Sequence, residues 1–145
     1  MKVCEEFYIN GEWVKPVNDL KTLDVINPAT EEVFGRIALG DKDDVDAAVE
    51  AAYNAFESFG YSSVDERVSL LEKILEVYQG KYDEIAETIS SEMGAPIGLS
   101  KAAQAATGLG HFSTALETLK NYKFEEVKGS ALIRKEPIGV VGMIT

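Results

Sequence analysis

The sequence has few of the residues that make a self-contained catalytic centre. Its 145 residues include one cysteine and one histidine, so it can form no internal disulfide bond and offers no His/Cys ligand cluster for a metal. No stretch approaches the roughly 18 apolar residues of a membrane-spanning helix. The N-terminus also lacks the apolar core of a secretory signal. These absences predict a cytoplasmic protein outside the membrane.

Positive charge is also scarce. Fourteen Lys and Arg face 25 Asp and Glu, which gives a formal net charge of −11. Nucleic-acid binding relies on many cationic contacts with phosphates, so this balance predicts no nucleic-acid partner. The 46% apolar and 27% charged residues are typical of a folded, soluble domain.

The few reactive side chains do not indicate a mechanism. Cys4 is followed by Glu5 and Glu6, whose negative charge disfavours the thiolate that a nucleophile needs. His111 lies off the apolar stripe of its predicted helix, which favours a position on the helix flank over a catalytic base. Gly108-Leu109-Gly110 resembles part of a dinucleotide fingerprint, but it lies inside a helical pattern and does not follow a strand. These residues alone indicate no catalytic machinery.

The first forty residues predict two hairpins. One turns at Asn10-Gly11, which is the strongest two-residue hairpin signal in a sequence. The other joins residues 22–26 to 33–38 through Asn27-Pro28-Ala29-Thr30. Because isolated hairpins are marginally stable in water, these strands are expected to pack on a larger body.

The middle of the chain predicts three helical segments. Residues 41–58 carry one apolar stripe with carboxylates in the first turn. A capping box at Ser63 and Glu66 opens the next segment. Its apolar pattern alternates four and three apart and could indicate a coiled coil, but Gly80 interrupts it and favours two helices of one layer. A further helix runs from Pro96 to about Tyr122, and its many small residues suit either a deeply packed helix or the wall of a channel.

The C-terminal residues predict two strands. Residues 131–136 end in polar side chains and predict an exposed edge, which is a template for pairing with another chain. After Pro137, an uninterrupted apolar and glycine run is typical of a strand buried in a parallel sheet. Such a strand needs parallel neighbours joined by long crossovers. We therefore expect the chain to be the front part of a larger protein.

Five short motifs, in one order and with compatible spacing, carry a resemblance to a known family. They are Tyr8-Ile9-Asn10-Gly11-Glu12-Trp13, Val25-Ile26-Asn27-Pro28-Ala29-Thr30, Gly40-Asp41 with Val45-Asp46-Ala47-Ala48-Val49, Glu92-Met93-Gly94-Ala95-Pro96, and Glu136-Pro137-Ile138-Gly139-Val140-Val141-Gly142-Met143-Ile144-Thr145. Together they span essentially the whole chain. The sequence resembles the opening of an NAD(P)-dependent aldehyde dehydrogenase.

This resemblance implies an α/β fold in which N-terminal strands and a helical layer lead into the first strand of a Rossmann-type parallel sheet that the chain leaves incomplete. Residues 1–128 would form the hairpins and helical layer of the cofactor-binding domain. Residues 129–137 would form an edge strand of the oligomerisation type, and residues 138–145 the first strand of the nucleotide-binding sheet.

The resemblance also implies an activity for the complete enzyme. It would oxidise a small-molecule aldehyde to a carboxylate with NAD or NADP, through a cysteine thiohemiacetal, and would assemble as a homo-oligomer, a dimer or a tetramer. Family members continue with Pro-Trp-Asn, and their catalytic cysteine and glutamate come later still. All of these would lie past Thr145, so the resemblance implies no catalytic residue in this chain and no activity of the chain alone.

Three pairs of residues match functional positions of the family. Ile144 and Thr145 would lie on the adenosine side of the cofactor. Ile26, through its carbonyl group, and Glu92 would hold a monovalent cation, for which oxygen ligands are suitable; a structural carboxylate at Glu92 is the alternative.

The third pair, Ala103 and Thr107, would line the substrate tunnel. Both side chains are small, which implies a wide tunnel. A competing hypothesis for the whole chain is a non-catalytic α+β module of the same ancestry, which would pack against other chains through the edge from Leu132 to Lys135.

Overall fold

A computed structural model describes residues 2–144 of the chain. It contains seven short strands, all within residues 2–39 and 125–134. In chain order they are β1 (Lys2–Cys4), β2 (Phe7–Ile9), β3 (Glu12–Val14), β4 (Lys21–Asn27), β5 (Glu32–Leu39), β6 (Glu125–Lys128) and β7 (Ala131–Arg134).

The helices occupy the region between these strands. They are α1 (Lys42–Phe59), α2 (Val64–Gly80), α3 (Tyr82–Met93), α4 (Ile97–Leu99), a π-helical segment (Ser100–Ala105) and α5 (Ala106–Asn121). The last three are contiguous and form one long helix. None of the helices among residues 2–144 is both long and apolar enough to cross a membrane.

Both predicted hairpins form. β2 and β3 pair antiparallel around Asn10 and Gly11, whose φ angles of 53° and 83° suit the tight turn that matches strand twist. β4 and β5 also pair antiparallel, with a bulge between Val25 and Ile26. β1 was not predicted; its three residues pair in parallel with β5.

Side chains cap the first two long helices. Asp41 accepts hydrogen bonds from the Asp43 and Asp44 amides, and Asp44 accepts one in return from the Asp41 amide at 2.8 Å. The buried Asp44 carboxylate also accepts from the Val17 amide at 2.8 Å, which ties the preceding loop to α1. Ser63 and Glu66 form the predicted capping box of α2.

α2 ends at Gly80 and α3 begins at Tyr82, so the two-helix prediction is confirmed and the coiled-coil alternative is wrong. The predicted helix from Pro96 to Tyr122 is present as Ile97–Asn121, but residues Ser100–Ala105 within it are π-helical. The mixed α/β fold class is confirmed.

The C-terminal region differs from the pattern-based prediction. β7 pairs antiparallel with β6, a strand that the sequence did not predict because its side chains are all exposed and do not alternate. Residues 138–144 form no strand, and Ile138 and Ile144 are almost fully exposed. A strand is stabilised by its neighbours, and among residues 2–144 no strand pairs with this run. Its role as the first strand of a nucleotide-binding sheet remains a prediction.

The β4–β5 turn docks onto the end of α3. Gly94 terminates α3 in the left-handed conformation at φ 70°, and a Cβ atom there would lie 2.9 Å from Cγ of Pro28. The Ser90 hydroxyl donates to the Ala95 carbonyl at 2.6 Å and holds the connection to the long helix. The contact between Pro28 and Gly94 attaches the β4–β5 hairpin to the helical layer.

We predict that Gly94→Ala destabilises the chain by about 2 kcal/mol, because a side chain at positive φ is strained and the added methyl group overlaps Pro28. Thermal unfolding followed by circular dichroism measures the change. Gly98→Ala is the matched control, since a Cβ atom at Gly98 meets nothing within 4 Å and alanine favours the helix. Equal melting temperatures for wild type and Gly94→Ala would contradict the docking.

Candidate functional site

The predicted site residues that the structure describes lie in four different places. Ala103 and Thr107 lie on the long helix, Glu92 lies at the end of α3, and Ile26 lies near the end of β4. Ile144 follows no regular element and is 98% exposed, and Thr145 lies outside the described residues. Among the described site residues, Ile144 alone lies outside a helix or strand.

Ala103 and Thr107 share one exposed face of the long helix. The Thr107 hydroxyl donates to the Ala103 carbonyl at 2.8 Å, one turn back along the helix. Both side chains are exposed. On the opposite side, Ala105 is fully buried against the helical layer. This stretch of small residues therefore has one side packed against the helical layer and one side exposed.

The π-helical segment is held from α2 and α3 by two tyrosine side chains. The Tyr78 hydroxyl donates to the Ala105 carbonyl at 2.9 Å, and the Tyr82 hydroxyl donates to the Lys101 carbonyl. The Lys101 ammonium group lies 2.8 Å from Asp83, and this hydrogen bond raises the pKa of Lys101 above its ordinary value. The pair is exposed, so solvent screens most of its contribution to stability.

Polar groups also fix the start of this segment. Ser100 is fully buried, and its hydroxyl donates to Gln104 Oε1 at 3.2 Å. The Gln104 amide in turn donates to the Met93 sulfur at 3.3 Å. Together with the contacts of Ser90, these bonds connect the Glu92–Pro96 motif to the helix that carries Ala103.

Ile26 and Glu92 belong to the two elements that meet at Gly94. Ile26 adjoins the bulge of β4, where the regular ladder is interrupted. The Asn27 side chain accepts from the Ala29 amide at 2.9 Å and shapes the turn. The Glu92 side chain is exposed. The cation site at Ile26 and Glu92 stays a prediction.

Within residues 2–144, no group of three or more His, Cys, Asp or Glu side chains is arranged to hold a metal ion. Cys4 is an exposed free thiol on β1. His111 is exposed on α5. His111 lies one turn beyond Thr107, on the same side of the helix, since residues four apart share a helix face.

The sequence did not reveal the roles of Tyr78, Tyr82 and Gly108. The two tyrosines fitted the apolar alternation of α2 and α3, so their hydroxyl groups carried no separate signal. Gly108 lies directly against Tyr78: a Cβ atom there would be 2.9 Å from the Tyr78 Cζ atom. Only the packing of the helices shows that this glycine admits the tyrosine ring.

Comparison with known proteins identifies the family. A family profile described as "Aldehyde dehydrogenase family" matches residues 13–145. The chain therefore belongs to the aldehyde dehydrogenase family, whose members are oxidoreductases.

The chain matches relatives along one part of their length. It is 52% identical over 138 residues to a putative aldehyde dehydrogenase of Staphylococcus aureus (strain bovine RF122 / ET3-1), covering 95% of this chain and 29% of that protein. An aldehyde dehydrogenase from Bartonella henselae aligns with TM-score 0.86 and 41% identity over 90% of this chain and 28% of that one.

A mutant of aldehyde dehydrogenase C from Pseudomonas syringae, complexed with NAD+ and octanal, aligns with TM-score 0.89 and 38% identity. That alignment covers 93% of this chain and 28% of the other. The chain thus spans about 29% of the length of the curated relatives it matches.

Proposed function

We propose that this chain forms the N-terminal part of an enzyme that oxidises a small-molecule aldehyde to a carboxylate with NAD+ or NADP+. The family match over residues 13–145 carries the proposal. The cofactor accepts the hydride in this reaction. Ile144 is exposed and follows no regular element. We propose that the role of this chain in the complete enzyme is to form one wall of the aldehyde tunnel and to hold that wall in place.

The open face of the long helix supports this assignment. Ala103 and Thr107 have small, exposed side chains, and the Thr107 hydroxyl donates a hydrogen bond to the Ala103 carbonyl. The other side of the segment is hydrogen-bonded to tyrosines of α2 and α3. A rigid wall with small side chains leaves room for a bulky or aromatic aldehyde. Ile144 and Thr145 are proposed to reach the adenosine side of the cofactor when the rest of the enzyme is in place.

A second candidate is a non-catalytic module that associates with other chains. It is supported by the β6–β7 hairpin, on which Val127, Leu132 and Ile133 are exposed. β7 also has an unpaired edge, since its only partner within residues 2–144 is β6. The same edge suits a homo-oligomer, a dimer or a tetramer, of the complete enzyme.

A chimeric enzyme, called the joined enzyme below, distinguishes the enzyme proposal from the association module. Residues 1–145 replace the matching segment of the Staphylococcus aureus relative, and the absorbance of the reduced cofactor reports turnover of short and aromatic aldehydes with NAD+ or NADP+. We expect the joined enzyme to be active, to remain active with Cys4→Ser, and the 145-residue chain alone to be inactive. The unmodified relative is assayed in parallel.

Two results would contradict the enzyme proposal. A folded but inactive joined enzyme, beside an active parent, would favour the association module. Aldehyde turnover by the 145-residue chain alone, abolished by Cys4→Ser, would make Cys4 a nucleophile.

The tunnel proposal predicts a size-dependent effect of bulk at Ala103. In the joined enzyme, Ala103→Phe should raise KM for an aromatic aldehyde about tenfold, because the ring fills the channel. KM for acetaldehyde should change little. Ala103→Ser, which adds a single oxygen atom, is the control and should behave as wild type. Equal effects of Ala103→Phe on both substrates would show that the residue is packed in a core.

We propose further that the Ile26 carbonyl and the Glu92 carboxylate hold a monovalent cation at the junction of hairpin and helix. Potassium or sodium at a hundredfold excess over Kd should then raise the free energy of unfolding by about 2.7 kcal/mol. This stabilisation is measured as a rise in the melting temperature. Glu92→Gln should reduce this response at matched ionic strength. Glu57→Gln is the control, since Glu57 is exposed on α1, away from the junction. Identical responses of wild type and Glu92→Gln would exclude the site.

A further inference from the structure

Three carbonyl groups of the π-helical segment accept hydrogen bonds from side-chain hydroxyls. The Lys101 carbonyl accepts from Tyr82, the Ala103 carbonyl from Thr107, and the Ala105 carbonyl from Tyr78. The wider π-helical turn accommodates one extra residue in the helix and is often found at functional sites. Every second carbonyl from Lys101 to Ala105 is therefore held by a hydroxyl.

The two tyrosines come from outside the long helix and are themselves held in place. The Tyr78 ring packs against Phe112 with centroids 6.0 Å apart, and it reaches the segment across Gly108, where any side chain would overlap the ring. Tyr82 lies one turn further along the helical layer, beside Asp83, which pairs with Lys101. The ends of the π-helical segment are thus attached to α2 and α3 separately.

We propose that Tyr78 and Tyr82 are positioning residues that hold Ser100–Ala105 in the π-helical register and thereby direct the face of Ala103 toward the aldehyde. In an α-helical register the π-helical turn would no longer hold its extra residue. The residues before the segment would then be rotated by roughly 100° relative to those after it. The hydroxyl of each tyrosine favours the π-helical register because it satisfies a carbonyl group where that register presents it. The assignment to the aldehyde rests on the proposed function, whereas the assignment of register does not.

Hydrogen–deuterium exchange of the 145-residue chain tests the register. Tyr78→Phe should speed exchange of the amides of residues 104–110 about tenfold, since one hydrogen bond that holds the segment is lost. Gly108→Ala should have the same effect because it displaces the Tyr78 hydroxyl, and Tyr82→Phe should act at the other end of the segment. Tyr53→Phe and Gly110→Ala are matched controls; Tyr53 is exposed on α1, and a Cβ atom at Gly110 meets nothing within 4 Å.

Unchanged exchange in Tyr78→Phe and Tyr82→Phe would overturn the proposal. The second variant keeps the test decisive if the first one fails to fold, because the Tyr82 hydrogen bond is exposed.

Kinetics of the joined enzyme test the link to substrate. Tyr78→Phe should raise KM for an aromatic aldehyde about fivefold, with KM for acetaldehyde unchanged and kcat within about twofold. A loss of folded enzyme alone would lower the amount of active protein and leave KM unchanged. Faster exchange with unchanged KM would therefore overturn the role in substrate positioning. If Ala103→Phe also changes KM equally for both aldehydes, the proposed tunnel itself is wrong. The Ala103 result therefore distinguishes failure of the tunnel proposal from failure of the positioning role of Tyr78.

Discussion

Close packing of α2 and α3 against the long helix Ile97–Asn121 is the constraint on which the rest of this structure depends. The contact completely buries three small residues, Ala86, Ser100 and Ala105. Small side chains let the backbones approach closely, so the tyrosine hydroxyls can reach main-chain carbonyls. The β4–β5 hairpin then docks through Pro28 on Gly94, and the β6–β7 hairpin continues from the end of α5.

Charge has a secondary part in this arrangement. The ion pairs between elements, such as Lys101 with Asp83 and Lys120 with Glu72, have partly or largely exposed side chains. Solvent screens exposed pairs of this kind, so each contributes little to stability. Backbone hydrogen bonds, capping side chains and the packing of small residues therefore determine the fold. The net charge of −11 instead affects solubility and the choice of partners.

Local patterns predicted much of the architecture. The Asn10-Gly11 turn, the capping box at Ser63, and the break at Gly80 are all present, because each depends on residues close together in the chain. The π-helical segment and strands β1 and β6 were not predicted. β1 depends on a parallel partner about 30 residues away, and the side chains of β6 are all exposed.

The candidate site residues were selected by resemblance, and their roles remain predictions. Motif matching selected Ala103 and Thr107, and the structure places them on one exposed helix face. No sequence pattern selected Tyr78 or Tyr82, because an apolar stripe records the ring and not the partner of its hydroxyl. The apolar stripe of α1 was read correctly as a helix face, yet Val45 and Val49 remain exposed.

The sequence by itself determined the two N-terminal hairpins and the approximate extents of the long helices, since caps, turns and periodicity act over a few residues. It also determined the family, through motifs kept in order along the chain. Only the tertiary structure decided which carbonyls the tyrosines bind, which glycine admits a ring and which face of the long helix stays open. These properties depend on distances between side chains and backbone atoms that are up to 27 residues apart. Such distances are fixed by packing and have no local signature in the sequence.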